Sequence, residues 1–172
     1  RYTAGLLKEN LPEDCPVEEM TGLIETSIGK MVPIMPRAIQ QADPLLVYAE
    51  AYNTLILDRR GFRNPIPEVE GLAPKDHIQA WVDRKSYIHN FGHAAAAYAG
   101  YAAFPEARYL HEVLEDAPVL DTTRQAMGQS AAVLMRQYPG ALTPAALADH
   151  IADLLDRLPH PASGDTPLPA GC

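Results

Sequence analysis

Lys85-Ser-Tyr-Ile-His-Asn90-Phe-Gly-His93 is the stretch on which the reading of this chain turns. It lies within a run from Lys75 or Asp76 to about Ala103, where Ile78, Trp81, Val82 and Ile88 share one apolar side and Pro105 ends the pattern, which predicts one long helix. At about 100° per residue, Lys85, His93 and Asn90 point to about 0°, 80° and 140°. A cation, an imidazole and an amide therefore share one wedge of helix surface while Tyr87, Ile88 and Phe91 face elsewhere. Such a wedge can line a cleft. Gly92 and Gly100 each cost about 1 kcal/mol relative to alanine inside a helix, which predicts a kink or a close approach by another group.

Upstream, Pro16 suits the first turn of a helix to about Met31, with Asp14 or Cys15 at the cap, Glu18 and Glu19 at the positive end, and Pro33 and Pro36 as stops. Val17, Met20, Ile24, Ile28 and Met31 form its apolar stripe. Leu45-Leu-Val-Tyr and Thr54-Leu-Ile-Leu are short β-prone runs, and Arg59-Arg-Gly-Phe-Arg-Asn-Pro reads as a loop. Downstream, helices are expected over about 106–116, 118–138 and 144–158, the last capped by Thr143 with Pro144 in its first position. The expectation is a mainly α, multi-helical domain over 1–158 with a minor extended segment. The tail 159–172 is rich in Pro and Gly and is expected to be ordered only by docking.

At 172 residues the chain is long enough for one domain with a real core. Its formal charge of −8 argues against a nucleic-acid or anionic-membrane surface. Cys15 and Cys172 form neither a disulfide framework nor a zinc spacing and read as free thiols. No apolar run reaches the roughly 18 residues a membrane helix needs, and the chain is expected in the cytoplasm. It begins at Arg1 and shows no Gly-x-Gly-x-x-Gly fingerprint.

Lys85-x4-Asn90-x2-His93, followed by the Ala-rich helix and Tyr98-Ala-Gly100-Tyr101, resembles the signature of the mannitol dehydrogenase family, the polyol-specific long-chain dehydrogenases that include mannitol-1-phosphate and altronate dehydrogenases. The likeness extends through Ser27-Ile-Gly-Lys-Met-Val-Pro33, Asp43-Pro44, Tyr52-Asn-Thr-Leu, Trp81-Val-Asp-Arg-Lys85 and Ser130-Ala-Ala-Val-Leu, and is confined to the C-terminal, substrate-binding half of that family. It implies a fold like the C-terminal domain of 6-phosphogluconate dehydrogenase. It also implies an N-terminal Rossmann domain as partner, outside this chain, which would bind most of the NAD or NADP. This chain alone is then expected to be inactive and to bind the cofactor poorly.

The resemblance assigns Lys85 as general acid/base, Asn90 as donor to the reacting oxygen and His93 as the group orienting substrate hydroxyls, in oxidation of a polyol, sugar phosphate or aldonate. A lysine can serve as base if burial and a nearby cation such as Arg84 disfavour its ammonium form; otherwise Lys85 is a solvated helix-face lysine. Substrate contacts are expected from Lys30, Asn53 and His89. Lys30 stands where better-known relatives carry Asp-Arg, which removes a carboxylate that would bind a hydroxyl. A lysine there suits a substrate phosphate or carboxylate, or is a surface residue at a helix end. Asn53 supports the cleft or makes a turn. The chain also ends before the basic Arg-Asp-x-x-Arg-Lys motif that follows a stretch like Gly164-Asp-Thr166 in many relatives.

Two other classes stay open. One is a non-catalytic helical interaction or oligomerisation domain, which predicts a large apolar face remote from the Lys85 cluster. The weaker is a metal-dependent enzyme using His89 and His93, four apart on one helix face. No third and fourth ligands stand at a telling spacing, so no metal is expected.

Overall fold

The computed structural model describes residues 2–33 and 35–159, so most of the tail predicted over 159–172 lies outside the described residues. The chain divides into two compact units, the first from Arg1–Ile28 and Thr54–Ile78, the second from Gly29–Asn53 and Gln79–Cys172.

The first unit contains helices α1 (Tyr2–Asn10) and α2 (Val17–Met20) and strands β1 (Thr26–Ile28), β2 (Leu55–Asp58) and β3 (Leu72–Lys75). β2 is central: it pairs antiparallel with β1, Ser27 opposite Ile56, and parallel with β3, Ile56 opposite Ala73. Pro74 stands in β3, an edge strand, where a missing N–H costs least. Ile56 and Leu57 of β2 are buried. Asp58 ends β2 and caps the short 3₁₀ turn Arg59–Gly61, accepting from the Arg60 backbone N–H and from its guanidinium. Those bonds hold the Asp58 carboxyl below its usual range despite the opposing effect of its partial burial.

The helix predicted from Pro16 to Met31 is therefore not formed. Only Val17–Met20 is helical, with Pro16 itself as the N-cap residue, and Thr26–Ile28 is strand. Between them a Cβ on Gly22 would stand 2.5 Å from the Gly61 carbonyl oxygen, a backbone approach that only glycine permits. Pairing with β2 outweighed a helical spacing. Of the two β-prone runs only the second became a strand, and Leu45–Tyr48 is irregular and exposed.

The second unit carries the core. Helix α3 (Arg37–Ala42) lies in its first segment, and α4 (Ile78–Arg84), whose first residue closes the first unit, leads into a π-helical turn at Lys85–Asn90 and on to α5 (Phe91–Ala103). α6 (Leu110–Leu114), α7 (Ala117–Gln137) and α8 (Pro144–Arg157) follow. The buried cluster joins Ile88, Ala96, Val113, Met127, Leu134, Leu147 and Leu154 with their neighbours. The predicted caps at α8 are present: Thr143 accepts from the Ala146 N–H, and Pro144 is the first helical residue. The predicted close approaches are present too. A Cβ on Gly92 would lie 2.9 Å from Met127 Sδ, and one on Gly100 would lie 2.4 Å from Val113 Cγ2. The molecule is mainly α-helical with one small sheet, as the sequence implied.

Candidate active site

The long helix predicted from about 75 to 103 is present from Ile78 to Ala103, with a π turn inside it, and the turn is where the signature lies. Phe91 N–H reaches back five residues to the Ser86 carbonyl as well as three to that of Ile88. A wider turn displaces carbonyls from their usual partners, and the backbone carbonyl of Tyr87 accepts instead from the hydroxyl of Ser130 on α7. A constant 100° per residue therefore does not hold between Lys85 and Asn90. Lys85 and His93 are half-buried, Asn90 is exposed, and His89 is buried at 5 % exposure.

His89 is the centre of a cationic cluster. Its ring lies 5.2 Å from that of His93 and 6.5 Å from that of His150 on α8. Burial, then the neighbouring His93, Arg157, His150 and Lys85, push its pKa down to about 3. His150 is pushed down to about 4 by burial and Arg84, with Arg157 adding to the effect and Asp153 opposing it. Both imidazoles are neutral at pH 7. Among the described residues, His89 Nδ1 and His150 Nε2 are buried with no hydrogen-bond partner, as are the Nε atoms of Arg84 and Arg157. Arg84 lies over the Trp81 ring at 4.5 Å, and burial holds its pKa below the ordinary value.

The segment bearing the two other predicted contacts meets this cluster. A Cβ on Gly29 would stand 3.4 Å from His89 Nδ1, so the residue preceding Lys30 passes against the buried imidazole. Lys30 is half-buried and Asn53 exposed. Both are flanked by residues tied to Arg157 at the end of α8. Its Nη1 donates to Glu50 Oε1 at 2.7 Å and to the Gly29 carbonyl at 3.5 Å, its Nη2 pairs with Asp153 at 2.9 Å, and its guanidinium lies 5.0 Å from the Tyr52 ring centroid. Glu50 also accepts from the Met31 N–H at 2.7 Å. His150 and Arg157 were missed in the sequence reading, and nothing in the spacing singled out Glu50. The available signal was in α8, where His150 and Arg157 stand seven apart on the flank of the apolar row Leu147, Ile151, Leu154 and Leu158.

Among the described residues no group of three or more His, Cys, Asp or Glu could hold a metal ion, and no helix is long and apolar enough to cross a membrane. The first unit has its own cavity of about 390 Å³, lined by Lys8, Thr21, Asp58, Arg60 and others, but by none of the predicted site residues.

No family profile matches the sequence. Among solved structures, the fold is similar to one part of each of two polyol dehydrogenases. Pseudomonas fluorescens mannitol 2-dehydrogenase, solved as a ternary complex with NAD and D-mannitol, matches 84% of this chain and 30% of its own at 21% identity and a TM-score of 0.63. A D-sorbitol dehydrogenase in substrate-free form matches 96% of this chain and 33% of its own, at 16% identity and a TM-score of 0.66. The chain thus spans about a third of the length of either enzyme.

Proposed function

We propose that this chain is the C-terminal helical, substrate-binding part of an NAD(P)-dependent polyol or aldonate dehydrogenase, with a Rossmann domain elsewhere in the same protein as its partner. The observation that carries the reading is the π turn that presents Lys85 and Asn90 while burying His89, on a fold otherwise found in polyol dehydrogenases. π turns recur at functional sites because they re-aim side chains within a helix.

In this reading the dinucleotide, held mostly by the Rossmann domain, would supply a nicotinamide as hydride acceptor. Lys85 takes the hydroxyl proton in oxidation and returns it in reduction. Asn90, exposed at the end of the turn, donates to the oxygen as negative charge develops. His93 orients neighbouring hydroxyls, while Lys30 and Asn53 meet the far part of the substrate. His89, neutral and buried, supports His93 and the Gly29 backbone from below. This reading gives the described residues the proton-handling half of the reaction. They offer no Gly-rich strand-to-helix turn for a dinucleotide.

The test is NAD(P)H turnover by the natural polypeptide containing this chain, across ketoses, ketose phosphates and keto-aldonates. Lys85→Ala should lower kcat by at least about a hundredfold with the fold intact by circular dichroism. Turnover indifferent to Lys85 would remove the assignment.

A second reading, an interaction domain, has one feature in its favour, an exposed aromatic face, which begins within the Lys85–His93 stretch and is not the remote face expected of it. Tyr87, Phe91, Tyr98 and Tyr101 recur at helical spacing and are all exposed, opposite the buried Gly92, Ala96 and Gly100. Full activity with these aromatics replaced by serine, in a protein of unchanged oligomeric state, would set it aside.

A further inference from the structure

Arg157 lies at the end of α8, far in sequence from any signature residue, yet it makes three separate contacts with one segment, Gly29–Asn53. It donates to the carbonyl of Gly29, and it pairs with Glu50, whose carboxylate accepts from the Met31 N–H and whose own N–H donates to the Met31 carbonyl at 3.2 Å. Gly29 and Met31 are the two neighbours of Lys30. The backbone of Lys30 is thus held from both sides. The guanidinium also covers Tyr52, the residue before Asn53, and Asp153 braces it from its own helix. The side chains of Arg157 and Glu50 are only 16% and 20% exposed, so this pair is shielded from the water and salt that make surface pairs weak.

Lysine is a flexible cation with four rotatable carbons. Fixing its backbone on both sides is a direct way to aim it, and the bonds of Arg157 and Glu50 have that effect. We propose that Arg157 and Glu50 form a positioning pair that aims Lys30 at an anionic group, phosphate or carboxylate, at the end of the substrate remote from the reacting carbon. Neither residue touches the reacting atoms. The pair sets which substrates are accepted and leaves proton transfer at Lys85 alone. This inference rests on the dehydrogenase reading above.

The experiment measures kcat/KM of the natural full-length protein for two substrates of equal chain length, one ending in phosphate or carboxylate and one in a neutral hydroxyl. It compares wild type, Lys30→Ala, Arg157→Ala, Arg157→Lys, Glu50→Gln and the double variant Lys30→Ala/Arg157→Ala. Lys30→Ala should lower the anionic-to-neutral preference at least tenfold, chiefly through KM. Arg157→Ala and Glu50→Gln should lower it by a similar factor, Arg157→Lys by less, and the double variant no further than either single one, because both changes remove one interaction. A merely structural Arg157 would depress both substrates equally and leave the ratio unchanged. That result, or a double variant whose losses add, overturns the proposal. Should Arg157→Ala fail to fold, the ratio in Glu50→Gln and Arg157→Lys decides alone. Absence of turnover in the wild type overturns the dehydrogenase reading, and this inference with it; turnover that needs Lys85 but shows an unmoved ratio overturns this inference only.

Discussion

His89 shows how far burial can take a residue from the role its type suggests. An imidazole on the same helix as a lysine and a second histidine invites a reading as substrate contact or metal ligand. Here four cationic or imidazole groups surround it at 5 % exposure, and its imidazolium form is disfavoured until about pH 3. The consequence for stability has a definite sign. Both His89 and His150 have folded pKa values below the unfolded value near 6.5, so on acidification the unfolded chain takes up protons that the folded chain refuses. Their contribution is complete above about pH 6.5 and is lost toward pH 4 to 3. The loss should be about 2 kcal/mol for each by pH 5. Thermal melts at pH 7.5 and 5 should differ by several degrees, and His89→Gln should reduce that difference by about half; a pH-independent Tm would contradict it. At this scale Lys85, Asn90 and His93 were open to proposal as site residues because their types and spacing form a local pattern. Arg157 and Glu50 were not, since their pairing spans 107 positions and leaves no mark in a local window.

Within the elements, local rules held where local forces dominate. Thr143 with Pro144 marks the start of α8, and Asp116, one position before α7, caps it by accepting from the Val119 N–H. They failed between Pro16 and Met31, where apolar residues three and four apart resembled a helix but strand pairing with Leu55–Leu57 won. The π turn was foreshadowed only as a suspected irregularity near Gly92. That glycine and Gly100 also give a matched test. Alanine at either position gains about 1 kcal/mol of helix propensity. At Gly92 the new methyl meets the flexible end of Met127, which can move, so Gly92→Ala should be near neutral. At Gly100 it meets Val113 at both Cγ2 and Cβ, 2.4 and 2.9 Å away, and a β-branched side chain has no comparable freedom. Gly100→Ala should cost about 1–3 kcal/mol, measured by urea unfolding; equal effects at the two sites would refute the distinction.

At the scale of the whole molecule, the mainly helical class was legible from the alternation of apolar periodicity and proline stops, and the three-stranded sheet was not, because β3 carries a proline and two of its four residues are Ala and Lys. The buried cluster is drawn from α4 through α8 and the turn at Lys85, whereas the described residues of Gly29–Asn53 add no member to it and are tied to α8 through Arg157. That division bears on the order of events when the chain folds. Contacts among α5, α6 and α7 close short loops, and the Arg157–Glu50 pair closes one of more than a hundred residues, which is entropically the costlier step. The pair should therefore form after the rate-limiting barrier. In a chevron experiment Arg157→Ala should raise the unfolding limb and leave the folding limb in place, whereas a slowed folding limb would mean that this clasp is part of the nucleus. A late clasp is also the first to let go, so the segment carrying Lys30 would open on its own well before the helices melt.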